Sequence, residues 1–126
     1  MANEIYAKYS SGNNLDAYVF RKSDDKVFVQ SDGAETFETW LDGNVLNYDN
    51  PMTDQGDGFY SVDFPAIITT ESEYRVVVKL RSGANAAVGD TGLFQGDIQW
   101  GGTSEVTLLT LSIGSSRVVN VYGINE

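Results

Sequence analysis

The chain contains neither cysteine nor histidine among its 126 residues. Without cysteine it has no disulfide and no thiolate metal site, so cysteine usage does not indicate a redox compartment. Without histidine it lacks the commonest general base, the commonest metal ligand and the side chain that titrates near neutral pH. Nucleophilic catalysis by a Ser–His or Cys–His pair is therefore excluded.

Basic residues are scarce, with 8 Lys and Arg against 18 Asp and Glu, which gives a formal net charge of −10. A negatively charged surface repels nucleic acid and anionic lipid, because both are themselves negatively charged and bind positive patches. We therefore expect no nucleic-acid partner and no membrane partner. Copies packed side by side also repel one another, unless the acidic side chains face solvent or bind cations. The simplest interpretation of the charge is solubility.

Long apolar runs are also missing. No stretch approaches the roughly 18 apolar residues of a transmembrane helix. The opening residues 1–6 lack the basic region and the apolar run of a Sec signal peptide. We expect the chain to be synthesised in the cytoplasm without a signal peptide.

The apolar residues that are present recur at every second position, which is the period of a β-strand. Tyr74, Val76 and Val78 form one face of such a strand, and Ile98 and Trp100 belong to one face of another. These five side chains are predicted to be buried. A further strand over residues 15–20 is followed by a turn at residues 23–26 and by a second apolar pair, which is typical of a hairpin.

Glycine and asparagine separate these runs about every ten residues, as at Asp42-Gly43-Asn44 and Gly101-Gly102. Both residue types tolerate the positive φ of tight turns. Short strands at this spacing predict an antiparallel β-sandwich or a barrel. No window shows a convincing helical period, although a short helical turn near residues 35–40 or 65–69 stays open.

The C-terminal residues differ from the rest, which predicts a β-sandwich domain over residues 1–105 and a separate β segment over 106–126. Two apolar runs flank Gly114-Ser115-Ser116 in this segment. They form either a terminal hairpin of the sandwich or an arm that pairs with a neighbouring copy. The predicted assembly residues are Val106, Leu108, Leu109, Leu111, Ile113, Val119 and Val121.

One acidic, glycine-containing loop suggests calcium, because Asp49, Asp54 and Asp57 offer the hard oxygen ligands that Ca²⁺ prefers. Their spacing does not match an EF-hand loop, and acidic turns are common without any ion. Asp54 and Asp57 are also the carboxylate pair considered for glycoside hydrolysis, which needs two carboxyl groups across a cleft. A small sandwich seldom has such a cleft, so we expect no enzymatic activity and no cofactor other than the calcium candidate.

Two aromatic residues, Trp40 and Tyr48, flank a turn and are predicted to be exposed. Exposed aromatic rings can stack on sugars, and they can equally mark a protein interface. They are the candidates for a glycan-binding or receptor-binding site, whereas Tyr74 and Trp100 are expected in the core.

The order of several segments resembles small immunoglobulin-like proteins from the structural gene modules of tailed bacteriophages and environmental viruses. The resemblance extends over residues 3–105. It rests on the opening Asn3-Glu4-Ile5-Tyr6, the aromatic segment from Phe37 to Asp49, Gly58-Phe59-Tyr60, Glu73-Tyr74-Arg75-Val76 and Gly96-Asp97-Ile98-Gln99-Trp100.

The resemblance implies an antiparallel immunoglobulin-like β-sandwich that serves as a virion component, such as a capsid decoration or head-surface protein or a baseplate or fibre module. Its partners would be copies of itself and a larger virion scaffold such as a capsid protein. The resemblance transfers no functional residues. Two other functions stay open: a module that binds glycans or a host receptor, and a subunit of an extracellular filament built by the C-terminal strands.

Overall fold

The computed structural model describes residues 4–105, which form two antiparallel sheets. The strands are β1 (Ile5–Lys8), β2 (Leu15–Arg21), β3 (Lys26–Phe28), β4 (Phe37–Glu38), β5 (Asn50–Pro51), β6 (Thr53–Gly56), β7 (Phe59–Val62), β8 (Ser72–Leu80) and β9 (Thr91–Trp100). Helical structure in this range consists of α1 (Val45–Tyr48) and the 3₁₀ turns Gln30–Asp32 and Asp42–Asn44. None of these helices is long and apolar enough to span a membrane.

The smaller sheet has the order β1-β7-β6, and the larger sheet has the order β4-β3-β2-β8-β9, with β5 paired to β2. The expected all-β, antiparallel architecture is confirmed at this level. The hairpin predicted after residue 20 is also present, since Phe20 of β2 pairs with Val27 of β3.

The main core lies between the inward faces of the two sheets. Ile5, Ala7 and Tyr60 come from the smaller sheet. All five side chains predicted to be buried belong to this core and are at most 6 % exposed. The ring of Phe64, which follows β7, lies 4.3 Å from that of Trp100, and the Trp100 indole N–H donates to the carbonyl of Ile68 at 2.7 Å. These contacts fix the end of β9 against the loop that precedes β8.

A second apolar cluster covers the outer face of β2. Tyr18 packs there with Val27, Val45 and Tyr48, and Trp40 lies at the edge of the cluster. The segment between β4 and β5, including α1, supplies this cover. The helical turn therefore lies at Val45–Tyr48, and the two positions considered from the sequence are wrong: residues 37–38 form β4, and residues 65–69 form a turn.

Candidate functional site: an open groove between two sheet edges

The chain reverses direction directly after β9. Gly101 N–H donates to the Ser104 carbonyl at 2.8 Å, and Trp100 and Glu105 form an antiparallel bridge. Gly102 permits this turn because its φ is +100°, and a Cβ there would lie only 3.0 Å from the Thr69 carbonyl oxygen. Residues 101–105 thus turn the chain back beside the end of β9.

That edge borders an apolar groove of about 400 Å³ between β1 and β9. Its lining includes Ile5, Val76, Val78, Phe94, Gly96 and Ile98. Gly96 leaves space at the centre, since a Cβ built on it meets no atom within 4 Å. Phe94, on the inward face of β9, is 43 % exposed. Phe94 is therefore far less buried than Ile98 and Trp100, which lie at alternate positions of the same strand.

Two strand edges flank the groove. β9 pairs with β8 on one side, and within residues 4–105 its other edge makes only the bridge from Trp100 to Glu105. β1 pairs with β7, and its other edge has no strand partner in the same range. Backbone groups along such edges accept another strand readily. The groove therefore combines an apolar floor with backbone donors and acceptors.

Two acidic side chains line one end of the groove. Burial raises the pKa of the Glu105 carboxyl, and the nearby Glu4 carboxylate adds to this increase. Glu4 itself accepts a hydrogen bond from the Phe64 backbone N–H at 3.0 Å. This end of the groove is consequently more polar than the part around Phe94 and Gly96.

The seven predicted assembly residues, from Val106 to Val121, lie outside the described residues. The boundary after residue 105 also stays a prediction. What the structure adds is the place where this segment begins, because Glu105 lines the groove.

The three calcium candidates make separate contacts. Asp49 lies 3.8 Å from the guanidinium of Arg81, whereas Asp54 accepts backbone hydrogen bonds from Gly12 and Gly56, each at 2.9 Å. Asp57 is exposed in the turn between β6 and β7, with φ +56°. Residues 4–105 contain no group of three or more acidic side chains arranged to hold a metal ion.

The exposure predicted for Tyr48 is wrong, because this side chain is fully buried in the second cluster. Its hydroxyl donates to the Glu38 carboxylate and accepts from the Leu41 backbone N–H. The Tyr48 ring therefore offers no face to a sugar. Trp40 is half-buried, packs on the rings of Phe20 and Tyr48, and donates its indole N–H to Asp42 at 2.8 Å.

Sequence reasoning missed a buried charge network on the outer side of the larger sheet. Asp16 is fully buried, and its carboxylate accepts two hydrogen bonds from Arg81, at 2.7 and 3.0 Å. The Tyr18 hydroxyl is buried nearby without a hydrogen-bond partner within residues 4–105, and burial raises its pKa. An acid on the apolar strand 15–20 and a cation at the end of strand 74–80 were the signals available in the sequence.

The comparisons with known proteins identify no family: no family model matches the chain, and no curated protein or solved structure is significantly similar to it.

Proposed function

We propose that the protein is a non-enzymatic structural component of a virus particle, built as an immunoglobulin-like sandwich and attached to its neighbours through the side formed by β1 and β9. The observation that carries this proposal is the apolar groove between two strand edges, at the point where the apolar segment 106–126 begins. Strand addition at such edges joins protein subunits through backbone hydrogen bonds and alternate side chains, and it needs no catalytic residue.

The charge distribution is compatible with this mode of attachment. The groove lining includes aliphatic and aromatic side chains beside the polar Glu4, Gln95, Asp97 and Glu105, and most of the described acidic residues are at least partly exposed. A contact made on this side therefore buries apolar surface and leaves most carboxylates in solvent, where they are screened. The partners are copies of the chain and a larger capsid scaffold, and the function requires no cofactor.

Sedimentation velocity of the full chain at several protein concentrations tests the attachment. We expect oligomers that dissociate on dilution, and we expect Val119→Lys combined with Val121→Lys to shift the distribution towards monomer. Val88→Lys is the matched control, because Val88 is 51 % exposed on the loop between β8 and β9, away from the groove lining. A full chain that stays monomeric at every concentration would contradict the attachment proposal.

The virion proposal is tested by purifying virus particles from cells that synthesise the chain and imaging them by electron cryomicroscopy. We expect density for the two-sheet fold of residues 4–105 outside the capsid shell, repeated with the symmetry of the scaffold. Its absence from purified virions would leave no place for the virion proposal, whatever the oligomeric state.

A further inference from the structure

The groove and the turn after β9 together point to a specific occupant. The antiparallel bridge between Trp100 and Glu105 sets the register of any continued hairpin, because each step back along β9 corresponds to one step forward beyond Glu105. In such a hairpin Thr107 would lie opposite Ile98, Leu109 opposite Gly96 and Leu111 opposite Phe94. These pairs share the inward face of the sheet, because directly opposed residues point to the same side.

The side chains in this register match the groove along its length. The inward positions begin with Glu105 and Thr107, at the polar end near Glu4, and continue with the apolar Leu109 and Leu111. Leu109 falls opposite Gly96, where the groove has space for an added side chain. Leu111 falls opposite Phe94, the large apolar residue of β9 that the described residues leave 43 % exposed.

We propose that residues 106–113 of the same chain form a tenth strand on the outer edge of β9 and fill the groove between β1 and β9 with Leu109 and Leu111. The Gly-containing turn ends at Glu105, which lines the groove, so the chain's own segment has the shortest path to the site. The proposal goes beyond the proposed function, since it would hold for a monomer as well. If both hold, the chain itself covers the β9 edge and the groove, which leaves the β1 edge and the second apolar run, residues 118–124, for contacts with neighbours.

Engineered disulfides test the register directly, because the chain contains no cysteine of its own. The Gly101–Ser104 hydrogen bond makes Trp100–Glu105 a non-hydrogen-bonded pair, so Gly96–Leu109 is one too. Cα atoms of such pairs lie about 4.5 Å apart, within the roughly 4.4–6.8 Å that a disulfide spans. We expect Gly96→Cys with Leu109→Cys to form an intramolecular disulfide in the full chain at least about tenfold faster than the control pair.

The control pair is Gly96→Cys with Leu108→Cys, which moves one cysteine to the adjacent position on the opposite face. Phe94→Cys with Leu111→Cys is the second test pair, for use if the first variant fails to fold, and it should behave like the first.

Non-reducing electrophoresis and peptide mass spectrometry identify the disulfide-linked products. Disulfide-linked dimers would show that a second copy supplies the strand, and equal rates in test and control pairs would show that the register is wrong; either result overturns the proposal. Sedimentation of the full chain tests the attachment function separately.

Discussion

At the level of single residues, the most consequential feature is an ionised pair inside the protein. Asp16 lies buried on β2, and within residues 4–105 its carboxylate is paired with the Arg81 guanidinium in a bidentate contact. Asp49 approaches the same guanidinium at 3.8 Å, so two carboxylates share one cation. Removing one partner of such a pair is strongly destabilising, because the other charge then stays buried without compensation.

We expect Arg81→Met to lower the free energy of unfolding at pH 7 by about 3 kcal/mol. The double variant with Asp16→Asn should recover part of this loss, since it removes the uncompensated charge. Lys22→Met is the control: its ion pair with Asp97, at 2.9 Å, is solvent-exposed and should contribute less than about 1 kcal/mol. Urea unfolding of the four proteins measures these values, and equal losses for Arg81→Met and Lys22→Met would contradict the argument.

Ionisation of Asp49 should lower the stability of the fold, whereas ionisation of Asp54 should raise it. Burial, with repulsion from Asp16, raises the pKa of Asp49 in the folded state, whereas the backbone N–H groups of Gly12 and Gly56 lower that of Asp54. Ionised Asp49 thus destabilises the fold above its folded pKa, and this penalty vanishes below the unfolded value of 3.8. Asp54 stabilises the fold above 3.8, and that contribution is lost as the pH falls through its lower folded pKa.

The expected result is that Asp49→Asn raises the free energy of unfolding at pH 7 and that Asp54→Asn lowers it. Both differences in the free energy of unfolding from the wild type should shrink on acidification. The difference for Asp49→Asn should shrink as the pH falls from the folded pKa of Asp49 to 3.8, and the difference for Asp54→Asn should shrink as the pH falls below 3.8. Urea titrations at a series of pH values measure them. Differences of the same sign would refute the assignment of opposite electrostatic environments.

At the level of elements, the strands with a clear period of two were predictable. Tyr74, Val76 and Val78 are buried and alternate with less buried residues, and they lie in strand β8 as this alternation indicates. The strand over residues 15–20 was predicted as well, but the sequence did not show that both faces of β2 are buried. Alternation cannot reveal this, because the cover for Tyr18 and Phe20 comes from the segment between β4 and β5, which has no regular period of its own.

The groove was not predictable from the sequence. Its floor consists of ordinary core residues of β8 and β9, and it exists only because the β1 and β9 edges face each other across the two sheets. A glycine at position 96, inside an otherwise regular strand, was the available signal, since such glycines often mark a close approach of other groups. Tyr48 was misplaced for a related reason: turn residues on both sides suggested exposure, but the short helix turns its ring inward.

Amide hydrogen exchange along β9 should show which edge of the strand is covered. In the proposed hairpin the N–H groups of Gln95, Asp97 and Gln99 point towards the tenth strand, while those of Gly96 and Ile98 point towards β8. We expect all five amides to be protected in the full chain. After truncation at Glu105 the first three should exchange faster and the other two should stay slow, provided that the truncated chain still gives a folded spectrum.

The amides of Gly96 and Ile98 are the internal control for the other three, because global unfolding would affect all five amides equally. Fast exchange of Gln95, Asp97 and Gln99 in the full chain would show that no strand covers the outer edge of β9. Exchange measured at several protein concentrations separates cover by the same chain, which is independent of concentration, from cover by a neighbouring copy.

At the level of the whole molecule, charge and apolar surface act against each other. A net charge of −10 repels approaching copies, while the proposed attachment requires an apolar contact on the side formed by β1 and β9. Salt screens exposed charges with a Debye length of about 30 Å at 0.01 M and about 8 Å at 0.15 M, but it has little effect on a buried apolar contact. Ionic strength therefore distinguishes the two contributions.

We expect the weight-average mass of the full chain to rise as sodium chloride is increased from about 0.01 to about 0.15 M, because screening removes the repulsion between copies and leaves the apolar contact. Sedimentation equilibrium at constant protein concentration measures this, with Val119→Lys combined with Val121→Lys as the variant that should respond less. Calcium and magnesium chloride at matched ionic strength add a further comparison. Equal masses in calcium chloride and magnesium chloride indicate screening alone. A larger mass in calcium chloride would show a specific site in the acidic loop if Asp49→Asn or Asp54→Asn abolishes the increase. Dissociation on adding sodium chloride would instead mean that ion pairs hold the copies together, which would contradict an apolar attachment.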